Sequence, residues 1–169
     1  MTKILIVAEV KNDEIKKNTL ELLSLANSHG FESDAVLLGT DVSGLADTLA
    51  GQGAATVYLG DDTSLEIFNT EQYTALVTDA LLKSGATQVW LTSSEFGRDL
   101  TPRIAARQGA GALSDVTKLE LNGDEITAYR PCMATKAIQK CKFSKDGLRV
   151  ISIRSGIFAA DESLSLIHI

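Results

Sequence analysis

The segment from Thr92 to Arg103 contains the polar groups whose types and spacing are best suited to binding chemistry. Ser93 and Ser94 carry hydroxyl donors, and Arg98 carries a guanidinium that can hold a carboxylate or phosphate with two parallel hydrogen bonds. The free backbone N–H groups of a helix that starts here would add further donors. The segment could therefore bind a small anionic ligand.

The same segment also has a structural interpretation. We predict a helix over Asp99–Arg107, with Pro102 in its first turn, where the missing N–H is not needed. Asp99 would favour the positive helix start, and Arg103 lies one turn later, where the two can pair. Exposed pairs of this kind stabilise by only about 0.3–0.5 kcal/mol. The residues alone leave open a structural role, a protein interface or an anion site.

Two further cations, Arg130 and Lys136, flank the turn between two predicted strands. They could face a partner protein or a ligand. Charged side chains on an edge strand also deter unwanted strand pairing, because an edge presents free backbone hydrogen-bonding groups. Both interpretations stay open for these two residues.

The common nucleotide, hydrolase and zinc motifs do not occur in the sequence. The segment Glu9–Asp13 follows the first predicted strand and has no glycine, whereas a common dinucleotide fold places G-x-G-x-x-G there. A carboxylate such as that of Glu9 also repels phosphate. The chain has no P-loop and no G-x-S-x-G, and its cysteines and histidines lack zinc-site spacing. We therefore predict no catalytic residue and no metal ligand.

An alternation of strands and helices must position the candidate residues. Short, continuous runs of branched apolar residues indicate buried parallel strands, and apolar residues one turn apart indicate helices. The predicted strands are Lys3–Ala8, Ala35–Leu38, Thr56–Leu59 and Gln88–Thr92, and the predicted helices are Ile15–Ser28, a short helix ending near Gly51, and one from Asn69 or Thr70 to Lys83.

The last third of the chain has a different pattern. Gly109 and Gly111 are predicted to end the last helix, and Asn122–Gly123 and Asp146–Gly147 are predicted hairpin turns. The fold class is therefore α/β, with a doubly wound, mostly parallel Rossmann-like sheet and a β-rich C-terminal third. The four strands predicted in this third are Val116–Leu121, Ile126–Arg130, Ala137–Phe143 and Val150–Arg154.

Length and charge limit the class of protein further. The 169 residues suit one domain, since a domain takes about 100–200. The net charge of −6 argues against binding to nucleic acid or to an acidic membrane surface. The apolar run that Glu9 closes is too short for a membrane span or an export signal. We expect a cytoplasmic protein, or a mitochondrial matrix protein in a eukaryote.

The sequence resembles the amino-terminal domain of the electron transfer flavoprotein alpha subunit from Met1 to about Glu162. The matching stretches include ILIVAEVKNDEIKKNTLELL, LADTLAGQGAATVYLGDD and YRPCMATKAIQKCKF. The most specific part is TSSEFGRDLTPRIAARQGAGALSDVTKLE, which contains the candidate segment. The sequence departs from the family at Met133 and Thr135, where the family usually has a tyrosine and a glycine.

The resemblance implies an adenine nucleotide alpha hydrolase-like fold and a component of an electron carrier. The family forms an alpha–beta heterodimer that takes electrons from acyl-CoA dehydrogenases of fatty acid β-oxidation and from other dehydrogenases, and passes them through a quinone oxidoreductase to the respiratory chain. Its FAD is bound chiefly by a second alpha domain, so no cofactor is expected in residues 1–162. The related beta domain binds AMP at a loop corresponding to Ser93–Thr101, but the alpha copy is not expected to do so.

Residues 163–169 do not resemble the linker of the family, and we expect a truncation or an artefact there. Three functions compete. The first is a scaffold that associates with the beta subunit and supports the flavin domain. The second is a stand-alone AMP- or ATP-binding module, and the third is a nucleotide-dependent enzyme, which lacks a credible base, metal set or nucleophile.

Overall fold

The computed structural model describes residues 2–123, 125–144 and 146–156. Apart from a short hairpin after the first strand, strands and helices alternate as far as the fourth helix, and strands follow. The elements are β1 (Lys3–Val7), β2 (Val10–Lys11), β3 (Glu14–Ile15), α1 (Lys17–Ser28), β4 (Glu32–Gly39), α2 (Ala46–Gly51), β5 (Val57–Asp61), α3 (Thr70–Ser84), β6 (Gln88–Thr92), α4 (Glu95–Gln108), β7 (Gly111–Val116), β8 (Lys118–Asn122), β9 (Glu125–Cys132), β10 (Ala137–Lys142) and β11 (Arg149–Ile153), with short 3-10 turns at Ser43–Leu45 and Thr63–Leu65.

The main sheet has six strands in the order β5-β4-β1-β6-β11-β7, and all neighbouring strands run parallel. From β1 the chain winds outward to β4 and β5, and then returns to β6 on the other side of β1. The carboxyl ends of β1 and β6 therefore form the switch point of a doubly wound sheet, where ligands bind in such folds. This arrangement confirms the predicted fold class.

Both faces of the sheet are buried, which explains the continuous apolar runs of its strands. Ile4 and Ile6 pack with residues of α1 and α2, whereas Leu5 and Val7 pack with residues of α3 and α4. Trp90 in β6 is fully buried, and its indole N–H donates to Gln88 Oε1 at 2.9 Å.

The small antiparallel sheet has the order β10-β9-β8. The register pairs Asn122 with Glu125, which confirms the predicted hairpin at Asn122–Gly123. The inner face of this sheet carries Leu119, Ile126 and Ala128 into the core cluster on the α1 side of the main sheet.

Three predictions for the last third were wrong. Gly111 begins β7 instead of ending a helix, and the predicted strand Val116–Leu121 is divided between β7 and β8. The predicted hairpin at Asp146–Gly147 does not form, because β11 pairs in parallel with β6 and β7. The side chains of Val150 to Ile153 are buried, so this strand needs a place inside the sheet.

The helix predicted from Asp99 begins four residues earlier, at Glu95, and Pro102 lies in its interior instead of its first turn. Proline there removes one backbone hydrogen bond of the helix. Buried Gly97, Leu100 and Ile104 hold α4 against the sheet. A Cβ at Gly97 would lie 1.8 Å from the Thr92 carbonyl oxygen, so the helix start packs closely on the end of β6.

Other boundaries agree with the predictions. Asn69 caps α3, and Gly85 ends it in the left-handed region at φ +67. The predicted tail, residues 163–169, lies outside the described residues. Within residues 2–123, 125–144 and 146–156, the structure contains no helix long and apolar enough to cross a membrane.

Candidate functional site

The side chain of Glu9 fills the switch point between the carboxyl ends of β1 and β6. Glu9 is 4% exposed. Its Oε1 accepts hydrogen bonds from Thr92 Oγ1 and from Ser94 Oγ, the latter at 2.6 Å, and its Oε2 accepts from Lys16 Nζ at 2.8 Å. A carboxylate of the chain itself thus occupies the place where this fold class usually binds a ligand.

The hairpin β2–β3 brings Lys16 to Glu9. Its turn residues Asn12 and Asp13 have φ values of 52° and 59°, which asparagine and aspartate tolerate better than most residues. The hairpin returns the chain so that the Lys16 backbone N–H donates to the Glu9 carbonyl at 2.9 Å. The Glu9 backbone N–H in turn donates to Thr19 Oγ1 at 3.0 Å. The glycine-free loop is therefore an ordered support for the buried carboxylate.

Ser94 links the start of α4 to this carboxylate. It is the N-cap of α4, and its Oγ accepts from the Gly97 backbone N–H at 3.1 Å while donating to Glu9. A capping side chain satisfies one of the free N–H groups of a helix start. The binding of an anionic ligand by Ser94 stays a prediction, and in the structure its hydroxyl donates to the carboxylate of Glu9.

A second polar group lies at the ends of β6, β7 and β11. Ser93 Oγ donates to Ser152 Oγ at 3.1 Å. Asp115 accepts two hydrogen bonds from Arg154, at 3.0 and 2.6 Å, and these bonds raise the pKa of Arg154 above its usual value. Arg98 is exposed and lies 3.9 Å from Asp115, measured from Nη2 to Oδ1. Arg98 also lines an open cleft together with Ser94, Asp99 and Lys16, so the structure brings these candidate residues to one place.

Asp99 and Arg103 lie on the exposed face of α4. Asp99 Oδ2 accepts a hydrogen bond from Thr70 Oγ1, which ties α4 to the start of α3. The ion pair predicted between Asp99 and Arg103 is not among the ion pairs within the described ranges.

Arg130 and Lys136 lie on the small sheet. Arg130 is half-buried on β9, the central strand, and faces Gln139 of β10. The pairing of β9 with β8 ends at Tyr129, so the edge interpretation of Arg130 stays a prediction. Lys136 is exposed at the end of the β9–β10 turn, in which Met133 and Thr135 have φ values of 49° and 67°.

A cleft of about 320 Å³ lies beside Glu9. Its walls include Phe68, Tyr73 and Phe96, and burial raises the pKa of the Tyr73 hydroxyl. The volume is at the lower end of the range of small-molecule sites, about 300–1,000 Å³. In the described part of the chain, no cluster of three or more potential metal ligands occurs.

The sequence reasoning named Glu9 only as a group that repels phosphate and missed its partners Thr92, Lys16 and Thr19. It also missed the pairing of Asp115 with Arg154, whose spacing along the chain gives no signal. The signal for Glu9 was its position directly after a buried strand, because that position is at the ligand-binding edge of a parallel sheet.

The fold and this site define a doubly wound α/β domain whose ligand-binding edge is filled by its own carboxylate. The family model described as "Electron transfer flavoprotein domain" matches residues 4–165. The chain therefore belongs to the electron transfer flavoprotein family.

Curated relatives agree with this family. The chain is 31% identical over 160 residues to protein FixB of Clostridium saccharobutylicum, covering 90% of the chain and 47% of the relative. It is 30% identical to electron transfer flavoprotein subunit alpha of Clostridium acetobutylicum, with the same coverage. For the alpha subunit of Megasphaera elsdenii the identity is 29%, covering 95% of the chain and 49% of the relative. The chain thus spans about half the length of the relatives it matches.

Proposed function

We propose that this chain is the amino-terminal scaffold domain of an electron transfer flavoprotein alpha subunit. The observation that carries the proposal is the match to the family over residues 4–165, with relatives of that name about twice as long. The complete protein is an electron carrier in this proposal, and this domain contributes no catalytic residue of its own.

The described residues do not fit the pyrophosphate of FAD. A dinucleotide needs free backbone N–H groups at a glycine-rich turn and helix start. Here the corresponding turn, Glu9–Asp13, has no glycine. At the start of α4, the Ser94 hydroxyl already donates its hydrogen bond to the carboxylate of Glu9. We therefore assign FAD to the part of the complete protein that corresponds to the other half of the relatives, and we derive no flavin step here.

The proposed partner is an electron transfer flavoprotein beta subunit, and the small sheet is the proposed contact surface. Met133 and Ile138 are 75% and 62% exposed, although both are large apolar residues. Arg130 faces Gln139, whereas Ile138 faces Pro131, so Arg130 lies on the opposite face of this sheet and is not part of the exposed apolar surface. Its Nε atom is shielded from solvent and has no hydrogen-bond partner within the described ranges. Exposed apolar side chains such as Met133 and Ile138 suit the core of a protein interface.

The complete complex would accept electrons from acyl-CoA and other dehydrogenases and deliver them to a quinone oxidoreductase. This part of the proposal rests on membership of the family, and the domain described here supports it only as a scaffold. The position of Arg98 and Asp99 on the exposed side of α4 makes this helix a second proposed contact surface for the partner or for the flavin domain.

The test is co-purification of the chain with a beta subunit, followed by an absorption spectrum over the flavin region. We expect a colourless one-to-one complex. Met133→Asp and Ile138→Asp should weaken the complex, whereas the control Lys83→Glu, an exposed charge in the last turn of α3, should not. Undiminished association of both small-sheet variants would refute the proposed surface, and a yellow complex would refute the assignment of FAD to another domain.

A further inference from the structure

We propose that Glu9 is a built-in anion that closes the switch point of this domain against phosphate-bearing ligands. The inference concerns the chain by itself and is independent of the partner proposed above. It explains how a fold with a ligand-binding edge can serve as a scaffold that binds no nucleotide at that edge.

The contacts of Glu9 are those that a bound anion would make. A buried carboxylate is costly unless it is paired and hydrogen-bonded. Glu9 has a cation, Lys16, on one oxygen and two hydroxyl donors, Thr92 and Ser94, on the other. These partners come from the ends of the β2–β3 hairpin and β6 and from the cap of α4, so one carboxylate joins three parts of the chain.

The same contacts use the donors that a phosphate at this edge would need. Ser94 Oγ donates to Glu9 and accepts from the Gly97 N–H, so the hydroxyl that would bind a phosphate is already used. A phosphate at this edge would also lie beside a like charge that little water screens, because Glu9 is 4% exposed. Phosphate is therefore excluded for two reasons: the Ser94 hydroxyl is already used, and the Glu9 carboxylate repels it.

The test removes the carboxylate and supplies an anion of the same chemistry. Glu9→Ala should create a space that formate can enter, so sodium formate should raise the Tm of this variant by at least about 2 °C relative to sodium chloride at equal ionic strength. Inorganic phosphate and AMP should also stabilise the variant. Neither should stabilise the wild-type chain beyond the effect of chloride.

Glu66→Ala is the matched control. Glu66 lines the same cleft but is exposed, so its removal deletes the same charge without opening the switch point. Its Tm should respond to formate and phosphate as the wild-type Tm does. If Glu9→Ala is unfolded in chloride and folds in formate, that recovery of folding also supports the proposal.

Three outcomes overturn the proposal. The first is binding of AMP or phosphate to the wild-type chain by calorimetry at millimolar ligand. The second is an equal response of the Glu9→Ala and Glu66→Ala variants. The third is a Glu9→Ala chain that gains nothing from formate, whether it is folded or unfolded in chloride.

Discussion

Replacement of Gly97 by alanine should destabilise the domain, because α4 has no space for a side chain at this position. The added Cβ would lie 1.8 Å from the Thr92 carbonyl oxygen, and real Cβ atoms essentially never approach other atoms within 3.0 Å. The contacted oxygen belongs to the backbone of β6, which is a buried central strand and cannot move easily. The helix α4 must therefore move away from the sheet by about 1.2 Å.

The magnitude follows from opposing effects. Overpacking of this kind costs about 1–3 kcal/mol, and disturbance of the Ser94 cap adds about 1 kcal/mol. Alanine in a helix returns about 1 kcal/mol relative to glycine. We therefore expect a net loss of about 2 kcal/mol, which shifts the midpoint of urea unfolding by about 1 M at a typical m-value of about 2 kcal/mol/M.

Gly51→Ala is the control for this measurement. Gly51 is the last residue of α2, and a Cβ there meets no atom within 4 Å. The substitution should leave stability unchanged or increase it by up to about 1 kcal/mol. Equal midpoints for the Gly97→Ala and Gly51→Ala variants would refute the close approach of α4 to β6.

Two further predictions concern α3. Burial raises the pKa of Tyr73, so the unfolded chain loses the hydroxyl proton at a lower pH than the folded chain does. The free energy of unfolding should therefore fall as the pH rises from the ordinary tyrosine pKa, about 10, through the raised folded value. In urea unfolding at each pH, Tyr73→Phe should make this loss above pH 10 less steep. Asn69 Oδ1 accepts hydrogen bonds from the Glu71 and Gln72 backbone N–H groups, at 3.0 and 3.1 Å. In thermal unfolding, Asn69→Ala should therefore lower the free energy of unfolding by about 1 kcal/mol, and Asn69→Gly by only a few tenths. Equal losses in the two variants would contradict the capping role.

Local sequence patterns were enough to predict the alternation of strands and helices in the first two-thirds of the chain, apart from the β2–β3 hairpin. Lys3–Ala8 and Gln88–Thr92 are short apolar runs that predict strands, and strands form over Lys3–Val7 and over Gln88–Thr92. Asn69 and Gly85 mark the ends of α3, because capping and left-handed backbone depend on the residue itself. Local chemistry of this kind can be read without knowledge of distant contacts.

The place of β11 in the sheet and the group that fills the switch point depend on contacts between distant parts of the chain. An Asp-Gly pair favours a hairpin locally, but Val150 to Ile153 gain more by burial between β6 and β7. Glu9 and Ser94 are 85 positions apart, and their contact exists because β1 and β6 are neighbours in the sheet. Strand order is a property of the whole chain, so spacing along the sequence could not show that a carboxylate of this domain occupies its own ligand-binding edge.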